Sequence, residues 1–572
     1  MAGSATSVDQ CDRTAEVLAA VKRYWGYDSL LPLQAEAIDA GLRQRDSLVV
    51  LPTGGGKSLC YQVPPVVGGR MDVVVSPLIS LMKDQVDSLR QCGYPAAAVH
   101  SNLTSGDRDE VRRGMSEGRY RLLFISPERL VTPRFLEFLA RRDVQVFSID
   151  EAHCISHWGH DFRPEYRQLS LLKERFPGAS VHAYTATATQ RVQTDIIAQL
   201  GLTDPQVLVG RFDRPNLVYR IIPSVDAYMQ VLEVIRRHAG EAVIVYCITR
   251  KETEDLAEFL RANGVNAASY HAGMEKEQRS KTQEAFAQER LDVVVATVAF
   301  GMGIDRSDVR CVIHAAMPKS IEHYQQETGR AGRDGLEAEC VLFYSAADAI
   351  KWQRIFTLGA QNADEPEEVT AAQLELLHHI RGLCGTLRCR HRALSRYFGQ
   401  KYEEPNCEAC DVCLGEVEGM DEGTTIAQKI LSCIYRLGQR FGVGYTVQVL
   451  RGAETEQVRR NRHDQLTTYG LLADLTEKTL TNLVYQLVDQ GLISRTEGDR
   501  PVLQLNEESM AVLRGEREVH LVEPAAGPMQ KTRLAEVSWE GVDEALFERL
   551  RDLRREIARE RSVPAYVIFG DA

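Results

Sequence analysis

The chain has no unbroken run of about 18 apolar residues, so no helical membrane span is expected. Its first residues, MAGSATSVDQCDRTAEV, are polar and lack the apolar centre of a secretory signal. The product is therefore expected to stay where it is made, in the cytoplasm (with the nucleoid in a bacterium). Positive charge is not in excess either: 80 Asp and Glu outnumber 68 Lys and Arg, for a net charge of −12. This excludes a protein coated in positive charge, such as a histone-like binder. It leaves nucleic-acid binding open, because phosphates are met by local stripes of Lys and Arg. Most of the 13 cysteines stand singly in apolar runs, among them Cys60, Cys92, Cys247 and Cys311. In a reducing cytosol these read as small buried hydrophobes. Cys389, Cys407, Cys410 and Cys413 form a separate group.

What is present is an alternation. At about 100–200 residues per domain, 572 residues suggest three to five domains. From residue 45 onward SLVVLPT, DVVVSPL, RLLFISPE, VQVFSIDEAH and SVHAYTATAT read as buried strands, each followed by a helical stretch. The rhythm restarts with EAVIVYCITR, VNAASYHAG, LDVVVATVAFG, VRCVIHAAMP and ECVLFYS. This predicts an α/β fold with two consecutive parallel-sheet domains, 1–208 and 209–347, with FDRPNL (212–217) as the linker between the two series. Function in open sheets collects at strand carboxyl ends, and every unusual motif is expected there. Residues 348–418 read as helical with a cysteine-rich loop. Residues 419–515 read as three or four helices and a hairpin turning at 497–502. Residues 516–545 read as a linker, and 546–572 as the start of a helical module that stops early.

Pro52-Thr53-Gly54-Gly55-Gly56-Lys57-Ser58 follows a strand and opens a helix. Glycines let backbone N–H groups wrap phosphates at the helix N-terminus. Thr53, Gly54, Gly55 and Gly56 would form the cradle, Lys57 would reach the β- and γ-phosphates, and Ser58 would bind Mg²⁺. Leu51 stands where the usual pattern has Gly. The bland alternative is a glycine-rich turn. Asp150-Glu151-Ala152-His153 ends a later strand. Adjacent carboxylates there can divide two tasks, Asp150 holding Mg²⁺ and Glu151 orienting the attacking water.

The ordered set resembles a superfamily 2 helicase with two RecA-like domains. Thr185-Ala186-Thr187-Ala188-Thr189 resembles the segment that couples hydrolysis to strand movement, with Thr187 at its centre. Gln326 to Gly335 (QETGRAGRDG) resembles the arginine-finger motif, which implies that Arg330 and Arg333 reach the γ-phosphate. Further motifs resemble the RecQ family of DNA helicases. Trp25-Gly26-Tyr27 with Leu30-Leu31-Pro32-Leu33-Gln34 is similar to its adenine-reading segment, implying that Gln34 bonds the adenine edge and Tyr27 stacks on the ring. The family usually has Arg where this chain has Leu31. Cys154 to Tyr166 (CISHWGHDFRPEY) resembles the loop coupling DNA binding to hydrolysis, and His157 stands where Gln is common. Trp158 and Phe162 offer faces for bases and Arg163 offers charge, with His160 in the same loop. The bland reading is a buried aromatic cluster. Ala296 to Asp305 also matches, implying nucleotide contacts at Gly303 and Asp305.

Cys407, Cys410 and Cys413 present three thiols in one loop. A fourth thiolate would complete a closed tetrahedral Zn²⁺ site. Cys384 and Cys389 are both candidates, and the family pattern C-R-x-x-x-L-x-x-Y-F-G matches from Cys389. Disulfides fit a cytosolic protein poorly, and an iron–sulfur cluster is the other four-cysteine solution. Residues 419–515 resemble the family's winged helix, where Arg459, Arg460, Arg462 and His463 could meet duplex phosphates or be a solvated face. The segment from Phe547 resembles the start of the family's helicase-and-RNase-D C-terminal module.

The resemblance implies an ATP-dependent DNA helicase moving 3′ to 5′ on single-stranded DNA. It further implies tailed or forked duplex substrates, roles in replication, repair, recombination and the SOS response, and a single-strand-binding protein or topoisomerase as partner. Rival readings are an RNA helicase, a translocase that does not separate strands, and a DNA-binding protein with a dead ATPase fold.

Overall fold

The fold is given by a computed structural model, described for residues 5–100, 103–142, 144–298, 300, 306–363, 367–420, 422–496, 501–524, 543–561 and 568–569. Short runs rich in Val, Leu and Ile build two sheets. The first contains β1 (Ser47–Val50), β2 (Asp72–Val75), β3 (Ala96–Val99), β4 (Leu122–Ile125), β5 (Val146–Ile149), β6 (Ser180–Thr185) and β7 (Gln206–Val209). They lie in the order β3-β4-β2-β5-β6-β1-β7, all parallel. The second contains β8 (Leu217–Pro223), β9 (Ala242–Tyr246), β10 (Ala267–Tyr270), β11 (Val293–Ala296), β12 (Val309–His314) and β13 (Ala338–Tyr344). Its order is β10-β11-β9-β12-β13-β8, again all parallel. Helices cover both faces, so the strands are apolar throughout rather than alternating. The expected α/β architecture of two parallel sheets is the observed one.

Three strands escape the hydrophobic pattern. β3 reads Ala-Ala-Ala-Val, and alanine is a weak strand former. β7 is an edge strand with only Leu208 buried. β8 hides behind FDRPNL, which is not a free linker. Phe212 stacks on Phe398 with ring centroids 4.3 Å apart, and its carbonyl accepts from Gln325 at 2.9 Å. The segment is a packed strap between the sheets. Cys92 departs from the expected burial: it is exposed, just past helix Ile79–Gln91.

Helices Ala346–Ala363, Glu367–Cys384 and Arg390–Tyr397 follow, and their apolar faces join the same core as the sheets. A separate core lies beneath residues 420–521. Among the described residues it contains five α-helices rather than three or four: Gly423–Arg436, Val443–Arg451, Glu456–Arg460, Glu477–Asp489 and Glu507–Leu513. Ser494–Arg495 pairs antiparallel with Leu503–Gln504 as the hairpin, and tip residues 497–500 lie outside the described residues. The expected linker from 516 begins as structure. Val522–Pro524 pairs with Val417–Gly419, and the Gln486 amide bonds both N–H and C=O of Val522 at 2.9 Å. Residues 525–542 lie outside the described residues. Helix Glu544–Arg561 docks on the second sheet domain through Arg554 and Arg555 to Glu289. Among the described residues no helix is long and apolar enough to cross a membrane.

Candidate active site and metal centre

The loop Pro52–Ser58 joins β1 to helix Lys57–Val67. Gly56 has φ of 68°, and a Cβ there would lie 2.1 Å from Gln34 Nε2. Glycine is therefore required at this turn. The Gln34 amide donates to the Gly56 carbonyl at 3.0 Å and accepts from the Leu31 N–H at 2.7 Å. Gln34 is buried, so it ties its segment to the phosphate loop, while Tyr27 and Leu31 are exposed. Lys57 Nζ lies 4.0 Å from Glu151 Oε1. The Ser58 hydroxyl accepts from Tyr61 at 3.3 Å.

Burial, then the neighbouring Glu151 charge, push Asp150 up to about 7 against the pull of Lys57. A buried carboxylate so short of positive charge is suited to a cation, and with the Ser58 oxygen it offers the hard donors Mg²⁺ takes. Glu151 holds φ of 48°, a left-handed backbone that costs a non-glycine residue about 1–3 kcal/mol. Its two carboxylate oxygens lie 4.0 Å from Lys57 Nζ and 3.4 Å from His153 Nδ1.

His153 links this strand end to the next. Its Nδ1 lies 2.9 Å from Thr185 Oγ1, and the Thr185 hydroxyl donates to the Thr187 carbonyl at 3.2 Å. His160 stacks on His153 with centroids 4.0 Å apart, and His323 of the second domain meets its face edge-on at 4.6 Å. Burial holds all three neutral, with His153 pushed down to about 3. His160 is thus no exposed DNA contact. It is wedged between the two domains.

His157, Trp158, Phe162 and Arg163 of the same loop are half-buried. Arg191 lies over the Trp158 ring, 3.1 Å from its centroid, and bonds Glu375 of the helical subdomain at 3.5 Å. His157 packs edge-on against Phe162 at 4.2 Å. Arg163 bonds Asp161 at 3.1 Å and the Pro77 carbonyl at 3.1 Å. These side chains are held in place by protein groups.

The facing wall carries Arg330 and Arg333, in the turn after helix Ile321–Thr328. A Cβ on Gly329 would lie 3.0 Å from Thr53 Cβ, so this turn abuts the phosphate loop. Arg330 and Arg333 both act on the Tyr246 hydroxyl, which burial pushes upward. The Gly332 N–H donates to the Val309 carbonyl at 2.9 Å. Within its own sheet the turn therefore sits beside the amino end of β12, while across the cleft it meets the loop at the carboxyl end of β1. Gly303 and Asp305 lie outside the described residues. The motif reading also missed Arg214, whose guanidinium bonds both Thr53 and Gly332 carbonyls. Its only sequence signal is an arginine beside Pro and Asn just before a strand.

Cys389, Cys407, Cys410 and Cys413 bring their sulfurs within 4.8 Å of one another. Zn–S bonds of about 2.3 Å in a tetrahedron put sulfurs about 3.8 Å apart, so the set fits Zn²⁺. Cys384 ends the preceding helix and is not in the group. Contacts with the Cys407 and Cys410 thiols pull Cys389 down to about 4. Backbone N–H groups of Arg390 and Ala409 point at Cys410 and Cys407 sulfur, at 3.5 and 3.4 Å. The two N–H groups and the lowered Cys389 favour thiolate, while Cys389, Cys410 and burial push Cys407 the other way, holding the shared proton there.

Two parallel-sheet domains with a phosphate loop and acidic pair on one wall, and paired arginines on the other, define a helicase motor of superfamily 2. Family profiles match in chain order: DEAD/DEAH box helicase over 31–196, helicase conserved C-terminal domain over 225–335, RecQ zinc-binding over 346–414, RQC domain over 418–529 and HRDC domain over 543–572. The chain is 42% identical over 565 residues to the ATP-dependent DNA helicase RecQ of Pasteurella multocida, covering 97% of this chain and 87% of that protein. It is 40% identical over 550 residues to the protein of the same name from Bacillus subtilis, covering 96% and 90%. The chain belongs to the RecQ family of helicases. A crystal structure of the DUF1998 helicase MrfA bound to DNA shares the fold, with TM-score 0.50, 16% identity, and coverage of 68% of this chain and 59% of that one.

Proposed function

We propose that this enzyme hydrolyses ATP to move 3′ to 5′ along one DNA strand and separate the duplex ahead of it, in repair and recombination. The observation that supports the reading is the abutment of Gly329 on Thr53, which sets the turn bearing Arg330 and Arg333 against the phosphate loop. Lys57 and the loop amides bind the phosphates, Glu151 orients and deprotonates the attacking water, and Arg330 and Arg333 meet charge developing on the γ-phosphoryl group. Mg²⁺, held by Ser58 and Asp150, would neutralise phosphate charge when bound. Loss of the γ-phosphate removes what the arginines grip, and the walls part. The His153–His160–His323 stack and the Thr185–Thr187 bonds give that motion a route to the aromatic loop. Arg459, Arg460 and Arg462 are exposed on the winged helix, where they suit duplex phosphates without base readout. That tail favours DNA over RNA. The four thiolates would hold Zn²⁺ as a closed structural site.

The test is strand separation of 3′-tailed, 5′-tailed and RNA duplexes with ATP and Mg²⁺, beside Lys57→Ala. The 3′-tailed DNA alone should be unwound, and the variant should be inactive. Failure on the DNA substrate refutes the helicase reading, and equal unwinding of the 5′-tailed duplex refutes the direction. Normal unwinding by Lys57→Ala refutes the ATP site.

A further inference from the structure

The strap between the sheets places one cation where both walls of the cleft meet. Arg214 Nη1 donates to the Thr53 carbonyl at 3.4 Å. Its Nη2 donates to the carbonyls of Ala331 and Gly332 at 3.2 and 2.7 Å. Its Nε donates to Asn216 Oδ1 at 3.3 Å. Asn216 in turn donates from Nδ2 to the carbonyls of Gly332 and Leu336, both at 2.9 Å. Gly332 holds φ of 54°, and a Cβ there would lie 2.5 Å from Asn216 Nδ2. The turn is thus folded around these two side chains. The strap itself is fixed: the Leu217 N–H donates to the Arg214 carbonyl at 3.0 Å, and the Ala338 N–H to the Asn216 carbonyl at 3.0 Å.

A planar guanidinium presents several donors in a rigid fork. One side of this fork takes a phosphate-loop carbonyl, and another takes two carbonyls inside the turn that bears Arg330 and Arg333. We infer that Arg214 is a positioning residue for the arginine fingers, setting the distance and angle of their turn against the phosphate loop. It does so through carbonyls rather than by touching the phosphate. The inference rests on the finger role of Arg330 given under the proposed function. A Lys at 214 would keep the charge but lose the fork. Misplacing a reacting group by about 1 Å can cost about 100-fold in rate.

The test uses the full chain with saturating single-stranded DNA. It compares Arg214→Ala, Arg330→Ala and the double variant for the kcat and KM of ATP hydrolysis, and for ADP affinity. Arg330→Ala should lower kcat by at least about 100-fold. Arg214→Ala should lower kcat by about 10- to 100-fold, with KM and ADP affinity within about threefold of the parent. The double variant should fall within about threefold of Arg330→Ala, because residues acting through one another are not additive. A double variant that loses the product of the two single effects overturns the inference. So does an unchanged kcat for Arg214→Ala, or a matching fall in ADP affinity, which would mean a collapsed phosphate loop. An undiminished kcat for Arg330→Ala instead refutes the finger reading itself. If Arg214→Ala does not fold, Arg214→Lys should give the same pattern with a smaller loss. Full activity in the Lys variant overturns the inference.

Discussion

Arg390 offers a sharp test of how the metal-binding loop is held. It is 1% exposed. Its Nε and Nη2 grip the Asp411 carboxylate at 2.8 and 3.0 Å. Its Nη1 donates to the carbonyls of Leu383 and Thr386, both at 2.8 Å. Asp411 is equally buried and accepts from the Ile221 N–H of β8 at 2.9 Å. Replacing Arg390 by Met leaves that carboxylate buried with backbone donors alone. Breaking a buried pair from one side costs about 3–5 kcal/mol, which is about 100- to 4,000-fold in an equilibrium constant. Removing both partners, as Arg390→Met with Asp411→Leu, leaves no uncompensated charge and should cost less than either single change. The assay is guanidinium-induced zinc release, followed with a coloured chelator and extrapolated linearly to water. A cost below about 1 kcal/mol for Arg390→Met, or a double variant as unstable as the sum of the singles, refutes the reasoning.

Two further expectations concern charge and stacking. Glu339 is pushed up by burial, but His238, Arg220 and Arg237 outweigh that and hold it down at about 2. Its folded value lies below the ordinary 4.5, so unfolding binds a proton and its contribution is present above pH 4.5. That contribution is lost as pH falls from about 4.5 through about 2. Unfolding measured across this window should lose part of its acid slope in Glu339→Gln, and an unchanged slope refutes the assignment. Trp158 has one face under Arg191, so it offers bases at most the other. Trp158→Ala should therefore lower nucleotide-free affinity for single-stranded DNA by less than about 1 kcal/mol, against about 1–3 for an open stacking residue. An anisotropy titration showing a loss above about 2 kcal/mol means that Arg191 leaves the ring when DNA binds.

What could be read from the chain alone was chemistry held in neighbouring residues. The phosphate loop, the acidic pair and the Cys407–Cys413 thiols each carry their function within a few positions, and buried parallel strands announce themselves as apolar runs. What could not be read was chemistry assembled across distance. Arg214 meets Thr53 from 161 positions away, and Arg191 reaches Glu375 from 184. FDRPNL looks like a linker because Asp, Arg, Pro and Asn suit solvent. Its polar groups instead satisfy buried carbonyls, which composition cannot distinguish. The same holds for His160, whose neighbours His153 and His323 come from different domains. Cys384 and Cys389 lie five positions apart and are both buried, so only geometry separates bystander from ligand.

The strap also shows where the two sheet domains are joined. Gly210 belongs to the first domain, since its N–H donates to the Val50 carbonyl at the end of β1 at 2.8 Å. Asp213 belongs to the helical subdomain, bonding His391 at 2.6 Å. Arg214 belongs to the second domain, with its shortest bond, 2.7 Å, to Gly332. The cysteine-rich loop is stitched to β8, where the Tyr219 N–H donates to the Ala409 carbonyl at 3.1 Å and the Asp411 N–H to the Tyr219 carbonyl at 2.9 Å. The subdomain, the strap from Asp213 onward and the second sheet therefore form one piece. Among the Arg214 bonds to backbone carbonyls, the one to the first domain is the longest, 3.4 Å to Thr53. That bond is therefore the one expected to break first when the walls part, with the turn bonds left intact. The junction between the two pieces falls between Gly210 and Asp213, where Gln400 donates to the Gly210 carbonyl at 2.8 Å and accepts from the Phe212 N–H at 2.9 Å. A residue of the zinc-binding subdomain thus ties the two sides of this junction together, although no cysteine of the cluster comes from the strap itself.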